Sequence, residues 1–288
     1  MKSPNNKTPH FIFAGTDDFA VTVLDTLRKR NLKPDLIITA PDKPAGRKLQ
    51  LTPSPVKTWS TEYKLPLLQP ASLKDWLPSG SQPDFLLTAS YGLFLPKKLL
   101  QYPKKGCLNI HPSLLPLYRG PAPVVAAILS DNKYTGVSIM LMDQKMDHGP
   151  ILAQAQTEIN HKWLLPLSQE LAEIGANLLA DLLPQWLTDE IKPTPQNHAL
   201  ATFSQKISKQ DGLINLADDP ILNFKKIRAY TPWPGAYFFT KKDNLKITIK
   251  QAHLNENNLL VIDKIVPAGK QEMAWADWIR NRPEFTPL

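Results

Sequence analysis

The chain lacks the features of secreted and membrane proteins. It has one cysteine in 288 residues, so no disulfide can form within it, which is typical of a reducing compartment. It has no apolar run near the ~20 residues that a membrane-spanning helix needs, and its first ten residues are polar, unlike a secretory signal. We therefore expect a soluble, cytoplasmic protein without membrane association, and we expect a monomer.

Several ligand-binding signatures are also missing. Residues 13–20, FAGTDDFA, hold one glycine where the dinucleotide fingerprint has three, which argues against a nicotinamide cofactor. No phosphate-binding P-loop occurs in the sequence. The six histidines show no metal-ligand spacing, and a single cysteine cannot build a zinc site, so we expect no metal.

Proline and positive charge, by contrast, are plentiful. The 28 prolines are about twice the usual share, and because proline fixes φ, they predict loops with a preset shape. The formal net charge is +8, which fits a polyanionic partner but equally fits an ordinary basic protein.

The first two-thirds of the chain predicts an α/β domain. Apolar runs at 10–15 and 35–40 flank a segment of helical spacing that Asp17 can cap, which makes a strand–helix–strand unit of a parallel sheet. A second helix is predicted near 56–63. Further strands are predicted at 83–90, 106–111 and 135–143, an edge strand at 150–159, and a long amphipathic helix at 167–187.

The remainder predicts a smaller β domain. Short strands are expected at 235–240, 245–253 and 258–267, with a short helix at 271–280. A polar, proline-bearing stretch precedes them and has the composition of a linker. We therefore predict a domain over 1–190, a linker over 191–207 and a β domain over 208–288.

The segment GCLNIHPSLLPLYRGPAP, residues 106–123, carries the first candidate site. Cys107, Asn109 and His111 alternate along a predicted strand and so share one face, with His111 at the carboxyl end. That edge of an open α/β sheet carries the ligand crevice, and an amide beside an imidazole suits an oxygen that becomes negative during a reaction. The alternative is structural: an asparagine that ties down a turn and a histidine that ends a strand.

Asp147 lies in the later segment QKMDHG and is a candidate partner for the imidazole of His111. A carboxylate there would orient the ring and favour its protonated form. The alternative is an aspartate in an ordinary glycine-containing turn. We expect Cys107 to pack in the core rather than act as a nucleophile, and His148 to face solvent or to make local contacts.

Several motifs, in their order and spacing, resemble the methionyl-tRNA formyltransferase family. They are FAGTDDFA, PDKPAGRKLQLTPSPVK, SYGLFLP, CLNIHPSLLPLYRGPAP, TGVSIMLMDQKMDHGPIL, AYTPWPGAYF and PAGK. NIHPSLLP with the later D-x-G is shared by all folate-dependent formyltransferases, whereas PDKPAGR and PWPGAYF are narrower and resemble the tRNA enzyme. The resemblance implies a Rossmann-like formyltransferase domain with a mostly parallel sheet, followed by a small OB-like β-barrel that is shortened here.

The resemblance also implies an activity and its residues. The chain would transfer the formyl group of 10-formyltetrahydrofolate, without a metal, to the amino group of initiator methionyl-tRNA for translation initiation. The implied catalytic residues are Asn109, His111 and Asp147. The implied folate contacts are Ser113, Leu114, Leu115, Pro116, Gly92 and Leu93, and the implied tRNA contacts are Lys43, Arg47 and Lys48.

Rival functions remain at the level of sequence. A folate-dependent formyltransferase acting on a small amine, glycinamide ribonucleotide or an amino sugar, would share NIHPSLLP. A hydrolase of the folate formyl group and an inactive RNA-binding protein are the others.

Two basic surfaces are expected for a tRNA partner. One is the loop 41–57, which its prolines and glycine should keep out of regular structure. The other lies in the β domain and includes Lys225, Lys226 and Arg228.

Overall fold

The computed structural model describes residues 8–45, 49–280 and 282, which form two compact units. The first unit takes the chain up to Arg119 together with Thr135–Thr157 and Ser168–Phe203. The second takes Gly120–Tyr134, Glu158–Leu167 and the chain from Ser204 onward. Two segments from the first two-thirds of the sequence therefore belong to the second unit, and the domain limits at 190 and 208 stay a prediction.

A seven-stranded sheet forms the centre of the first unit. Its strands are β1 (Phe11–Gly15), β2 (Leu36–Ile38), β5 (Leu67–Leu68), β6 (Phe85–Ala89), β7 (Cys107–His111), β8 (Tyr134–Leu141) and β9 (Ile151–Glu158). The order across the sheet is β5-β2-β1-β6-β7-β8-β9. The first five of these are parallel neighbours and β8 is antiparallel to β7. The carboxyl ends of β1, β6 and β7 thus meet at one edge.

The sequence pattern explains the centre of this sheet. Every residue of β1 and β6 is buried, as expected for parallel strands covered on both faces. Helix α1 (Asp18–Lys29) begins where predicted, with the Asp17 carboxylate accepting from the amide of Ala20 at 3.3 Å. The predicted edge strand is β9, which is only partly buried and ends the sheet, and the predicted long helix is α5 (Leu164–Leu187).

The prediction of an irregular loop over 41–57 is wrong. Strands β3 (Lys43–Ala45) and β4 (Gln50–Thr52) pair there as an antiparallel ribbon, and helix α2 (Pro55–Glu62) follows. Both strands of a two-stranded ribbon are edge strands. An edge strand tolerates Pro44, which has no amide hydrogen to donate to a neighbouring strand.

Sequence reasoning also missed helices that begin with proline. Helices α4 (Pro123–Leu129) and α6 (Pro220–Tyr230) each carry a proline in the first turn, and α3 (Lys97–Leu100) follows Pro96. Proline suits that position because its fixed φ matches the helix and the first amides have no partner within it. These prolines start helices rather than mark loops.

The second unit is built on an antiparallel sheet. Its strands are β10 (Tyr237–Phe239), β11 (Lys246–Leu254), β12 (Leu260–Pro267) and β13 (Met273–Ala274), in that order, and helix α7 (Trp275–Arg280) follows. Their buried face packs with α6 and α7 around one apolar core that includes Ile227, Ile249, Ile265 and Trp275. A Rossmann-like domain followed by a small β domain is confirmed. Among the helices that the structure describes, none is both long and apolar enough to cross a membrane.

The basic surface predicted around Arg228 is wrong. Arg228 is buried, and its Nη1 donates to the carbonyl oxygens of Asn160 at 3.2 Å and Lys162 at 2.8 Å. Lys225 is mostly buried and pairs with Asp131. Lys226 is partly exposed, as Lys225 is.

Candidate active site

The candidate site lies where strands β6 and β7 end. The two strands are parallel, and Thr88 of β6 is in register with Asn109 of β7. Alternation along β7 directs Cys107, Asn109 and His111 to one face, and His111 ends the strand. The structure therefore brings the polar pair to the edge where open α/β sheets bind ligands.

The orientation of the Asn109 amide follows from its two neighbours, Thr88 and Asp147. The Thr88 hydroxyl lies 2.9 Å from Asn109 Oδ1, to which it can donate, and 3.1 Å from the carbonyl oxygen of Leu108. Asn109 Nδ2 then faces Asp147 Oδ1 at 3.5 Å. The reverse orientation would set the amide oxygen against a carboxylate, so the amide hydrogens point to the Asp147 side.

His111 lies between two acceptors and is 4 % exposed. Its Nε2 is 3.1 Å from the carbonyl oxygen of Tyr118, and its Nδ1 is 3.6 Å from Asp147 Oδ1. A carbonyl can only accept, so Nε2 carries a hydrogen. Both Nδ1 of His111 and Nδ2 of Asn109 thus face the same carboxylate oxygen, at distances longer than a good hydrogen bond.

The Asp147 loop is held by its backbone. Asp147 has φ +48°, in the left-handed region that non-glycine residues seldom adopt. Gln196 Nε2 donates to the carbonyl oxygens of Asp147 at 3.0 Å and Gly149 at 2.7 Å. A Cβ at Gly149 would lie 1.9 Å from the carbonyl oxygen of Leu141, so only glycine lets the loop return this closely onto β8.

Gln196 is itself held by Arg119, which sequence reasoning passed over. Arg119 is 4 % exposed and donates to Gln196 Oε1 from Nε at 3.2 Å and from Nη2 at 2.6 Å. Arg119 appears in the motif LYRG, and an arginine inside an otherwise apolar, proline-rich segment was the signal that could have marked it. Gln196 gave no signal, because it lies in a stretch with the composition of a linker.

Two histidines adjoin this pair. Arg119 Nη2 lies 2.9 Å from His198 Nδ1, and the His198 ring stacks on His148 at 3.9 Å between ring centres. Loss of surrounding water, then the positive groups nearby, lowers the pKa of His198 below its ordinary value. His148 also pairs with Asp143 at 2.6 Å, which is the expected local contact. Its stacking on His198, far along the chain, was not predicted.

The segment Ser113, Leu114, Leu115 and Pro116 is anchored to β8 and β9. Ser138 Oγ donates to the carbonyl of Ser113 at 2.6 Å and accepts from the amide of Leu115 at 3.0 Å. Gln154 Nε2 donates to the carbonyl oxygen of Leu115 at 2.9 Å. Ser113 and Leu115 are buried and Leu114 and Pro116 are partly exposed, so these two are the members that a ligand can reach.

Gly92 and Leu93 lie in the loop that follows β6. Gly92 is exposed, Leu93 is partly exposed, and nothing lies within 4 Å of where a Gly92 Cβ would be. Since β6 and β7 are parallel neighbours, this loop and the segment after His111 leave the same edge of the sheet. Burial raises the pKa of the neighbouring Tyr91 to about 12.

The residues predicted to contact tRNA are only partly described. Lys43 is exposed on β3, whereas Arg47 and Lys48 lie outside the described residues. Lys57 pairs with Asp42 at 2.6 Å, and Gln69 donates to the same carboxylate at 2.8 Å. These two partners hold the pKa of Asp42 below its ordinary value, so Lys57 is engaged within the chain.

Cys107 packs beneath the site, as expected. It is fully buried, and that burial raises the pKa of its thiol to about 12. A protonated, buried thiol is not a nucleophile. Within the residues that the structure describes, no group of three or more His, Cys, Asp or Glu side chains could hold a metal ion.

The comparisons with known proteins agree with the fold. A family model for formyl transferase matches residues 9–182, and one for the formyl transferase C-terminal domain matches 206–258. A methionyl-tRNA formyltransferase of Chloroflexus aggregans is 38% identical, with 96% of this chain and 98% of the relative covered. The chain belongs to the methionyl-tRNA formyltransferase family. A second member, from Chloroflexus aurantiacus, is 44% identical over 82% of this chain and 78% of its own.

Solved structures show the same fold beyond the methionyl-tRNA formyltransferase family. The methionyl-tRNA formyltransferase of Clostridium thermocellum matches with TM-score 0.58 and 17% identity, over 90% of this chain and 98% of its own. HypX from Aquifex aeolicus, solved with tetrahydrofolic acid, matches with TM-score 0.66 and 14% identity, over 95% of this chain and 47% of its own. A 4-N formyltransferase from Francisella tularensis matches with TM-score 0.63 and 19% identity, over 93% of this chain and 100% of its own. At these identities the likeness concerns the fold.

Proposed function

We propose that the chain transfers the formyl group of 10-formyltetrahydrofolate to the amino group of methionyl-initiator tRNA, for translation initiation. Relatives of that name match nearly the whole chain, which favours the tRNA acceptor over glycinamide ribonucleotide or an amino sugar. The observation that carries the chemistry is the meeting of Asn109, His111 and Asp147 at the end of β7.

The reaction is an acyl transfer that develops negative charge on oxygen. The unprotonated amine of the methionyl group attacks the formyl carbon, and the carbonyl oxygen becomes an oxyanion. Asn109 Nδ2 and a protonated His111 face the same side and donate to that oxygen. Removing one donor of such a site typically lowers the rate by about 10²–10³.

Asp147 handles the charge and the proton of this step. Its carboxylate stabilises the protonated imidazole of His111, which the carbonyl of Tyr118 holds from the other side. It then relays a proton, through water, from the attacking amine toward the folate nitrogen that leaves. The bond from the amine to the formyl carbon forms first and gives the oxyanion. When the carbonyl re-forms, the bond from that carbon to the folate nitrogen breaks and the nitrogen takes up the relayed proton, so no covalent enzyme intermediate is required.

The two substrates would approach from different elements. We place the folate against the segment Ser113, Leu114, Leu115 and Pro116, beside Gly92 and Leu93. We place the tRNA acceptor end near the basic residues Lys43, Arg47 and Lys48. The β domain, proposed to span 208–288, gives the tRNA a second surface, and the protein works as a cytoplasmic monomer without a membrane partner.

One assay separates this function from its rivals. The enzyme is incubated with 10-formyltetrahydrofolate and either charged initiator tRNA, glycinamide ribonucleotide or an amino sugar nucleotide. Formyl-methionine, released by base hydrolysis of the tRNA, is the expected product. Formylation of a small amine with the tRNA left unchanged would overturn the proposal.

A further inference from the structure

The backbone of the Asp147 loop is held by two buried side chains that no step of the reaction uses. Gln196 is 6 % exposed and Arg119 is 4 % exposed. Gln196 Nε2 donates to the carbonyls on either side of His148, and Gln196 Oε1 accepts twice from the guanidinium of Arg119. Both hydrogens and both lone pairs of the amide are engaged, so the amide can have only one orientation.

Arg119 is in turn fixed by its own neighbours. A guanidinium only donates, so His198 Nδ1, 2.9 Å away, must be the acceptor. The backbone amide of Arg119 donates to the carbonyl of Thr202 at 2.9 Å. The chain from Gln196 to Thr202 therefore packs on the segment after His111 and locks both members of the pair.

The Asp147 loop needs such support. Asp147 adopts φ +48°, which an aspartate does not favour in isolation, and its side chain is 14 % exposed. The carbonyl at 147 belongs to the same residue as the carboxylate that faces His111 and Asn109. Fixing that carbonyl fixes the backbone from which the carboxylate extends toward His111 and Asn109.

We propose that Gln196, braced by Arg119, is a positioning residue that holds the Asp147 carboxylate against Asn109 and His111. The inference rests on the proposed function, because it assigns Gln196 an effect on rate only through Asp147. It predicts that Gln196 matters for turnover and little for the affinity of either substrate.

The test is a double-mutant cycle between Gln196→Glu and Asp147→Asn. Glutamate keeps the acceptors for Arg119 and removes both donors to the loop carbonyls. We expect Gln196→Glu to lower kcat about tenfold or more with each KM within about threefold. In the Asp147→Asn enzyme, Gln196→Glu should lower kcat by less than about twofold, because the carboxylate that Gln196 positions is already absent.

Controls separate this outcome from a general loss of structure. Gln185→Glu makes the same chemical change at an exposed position of α5 and should leave kcat unchanged. If Gln196→Glu does not fold, Gln196→Met, which also lacks donors, takes its place in the cycle. Equal losses in both backgrounds, or normal kcat in Gln196→Glu, would overturn the inference. Normal kcat in Asp147→Asn would instead overturn the proposed mechanism.

Discussion

At the level of residues, Asn109 and His111 have the same arrangement. Each has one polar atom tied to the protein, by Thr88 or by the Tyr118 carbonyl, and another directed at Asp147 Oδ1. The direction of these two donors is therefore fixed before a substrate arrives, so the site does not have to reorganise to stabilise the transition state.

Removing either donor should slow the reaction without unfolding the protein. We expect Asn109→Ala and His111→Ala each to lower kcat about 10²–10³-fold, measured with saturating folate. Cys107→Ala is the matched control, since it lies on the same strand face, is buried and should keep its turnover. Near-normal kcat in either variant would remove that residue from the mechanism.

Asp147→Asn keeps the shape of the side chain and removes its charge. Because the charge stabilises the protonated His111, we expect a large fall in kcat with little change in folate affinity. Folate binding is measured directly by fluorescence or calorimetry on the same preparation. If the variant binds folate weakly but keeps a normal kcat at saturating folate, Asp147 lines the folate pocket and does not handle the proton.

At the level of elements, prolines decide where some helices begin, and a buried charge decides which segments pack together. Apolar periodicity predicts neither. Helices α4 and α6 begin at Pro123 and Pro220, and α6 then buries an arginine. Burial lowers the pKa of Arg228 to about 10, so the guanidinium is still charged at neutral pH. Its two hydrogen bonds anchor the segment of residues 158–167 to α6 within the second unit.

Arg228→Ala should therefore destabilise the second unit. The buried carbonyl oxygens of Asn160 and Lys162 would lose their charged donor. We therefore expect the free energy of unfolding to fall by about 3 kcal/mol or more. Urea unfolding measures the change, and Lys226→Ala, on the same helix and partly exposed, is the control. A change as small as that of the control would mean that water replaces the lost bonds.

At the level of the whole molecule, the second unit includes parts of the first two-thirds of the sequence. Residues 120–134 and 158–167 pack with the chain from 204 onward, and α4 contacts α6. A truncation after Gln205 would remove the packing partner of α4. Single substitutions are therefore the better test of tRNA binding.

Net charge of +8 predicts tRNA binding that weakens steeply with salt, because phosphate contacts release counterions. We expect Lys43→Ala to reduce the slope of log Kd against log salt by about one, with folate affinity unchanged. Lys74→Ala removes an exposed lysine elsewhere in the first unit and should leave the slope unchanged. Equal slopes for both variants and the parent protein would exclude Lys43 as a phosphate contact.

The sequence by itself determined most strands of the two larger sheets and the facing of their residues. Apolar runs locate β1 and β6. In β7, alternation alone puts Asn109 and His111 on one face, because the side-chain period of a strand is fixed by its backbone. The motifs around these residues indicated the family. The ribbon of β3 and β4 and the proline-started helices were not visible, because local composition there is equally typical of loops.

Only the tertiary structure decided the contacts between distant segments. Asp147 is 36 residues from His111, and Gln196 is 77 residues from Arg119, yet each pair is in contact. The burial of Arg228, which the sequence predicted at the surface, likewise depends on residues 160 and 162. Such contacts depend on which strands become neighbours and how the loops return across them, and the periodicity of a single segment carries no information about its partner.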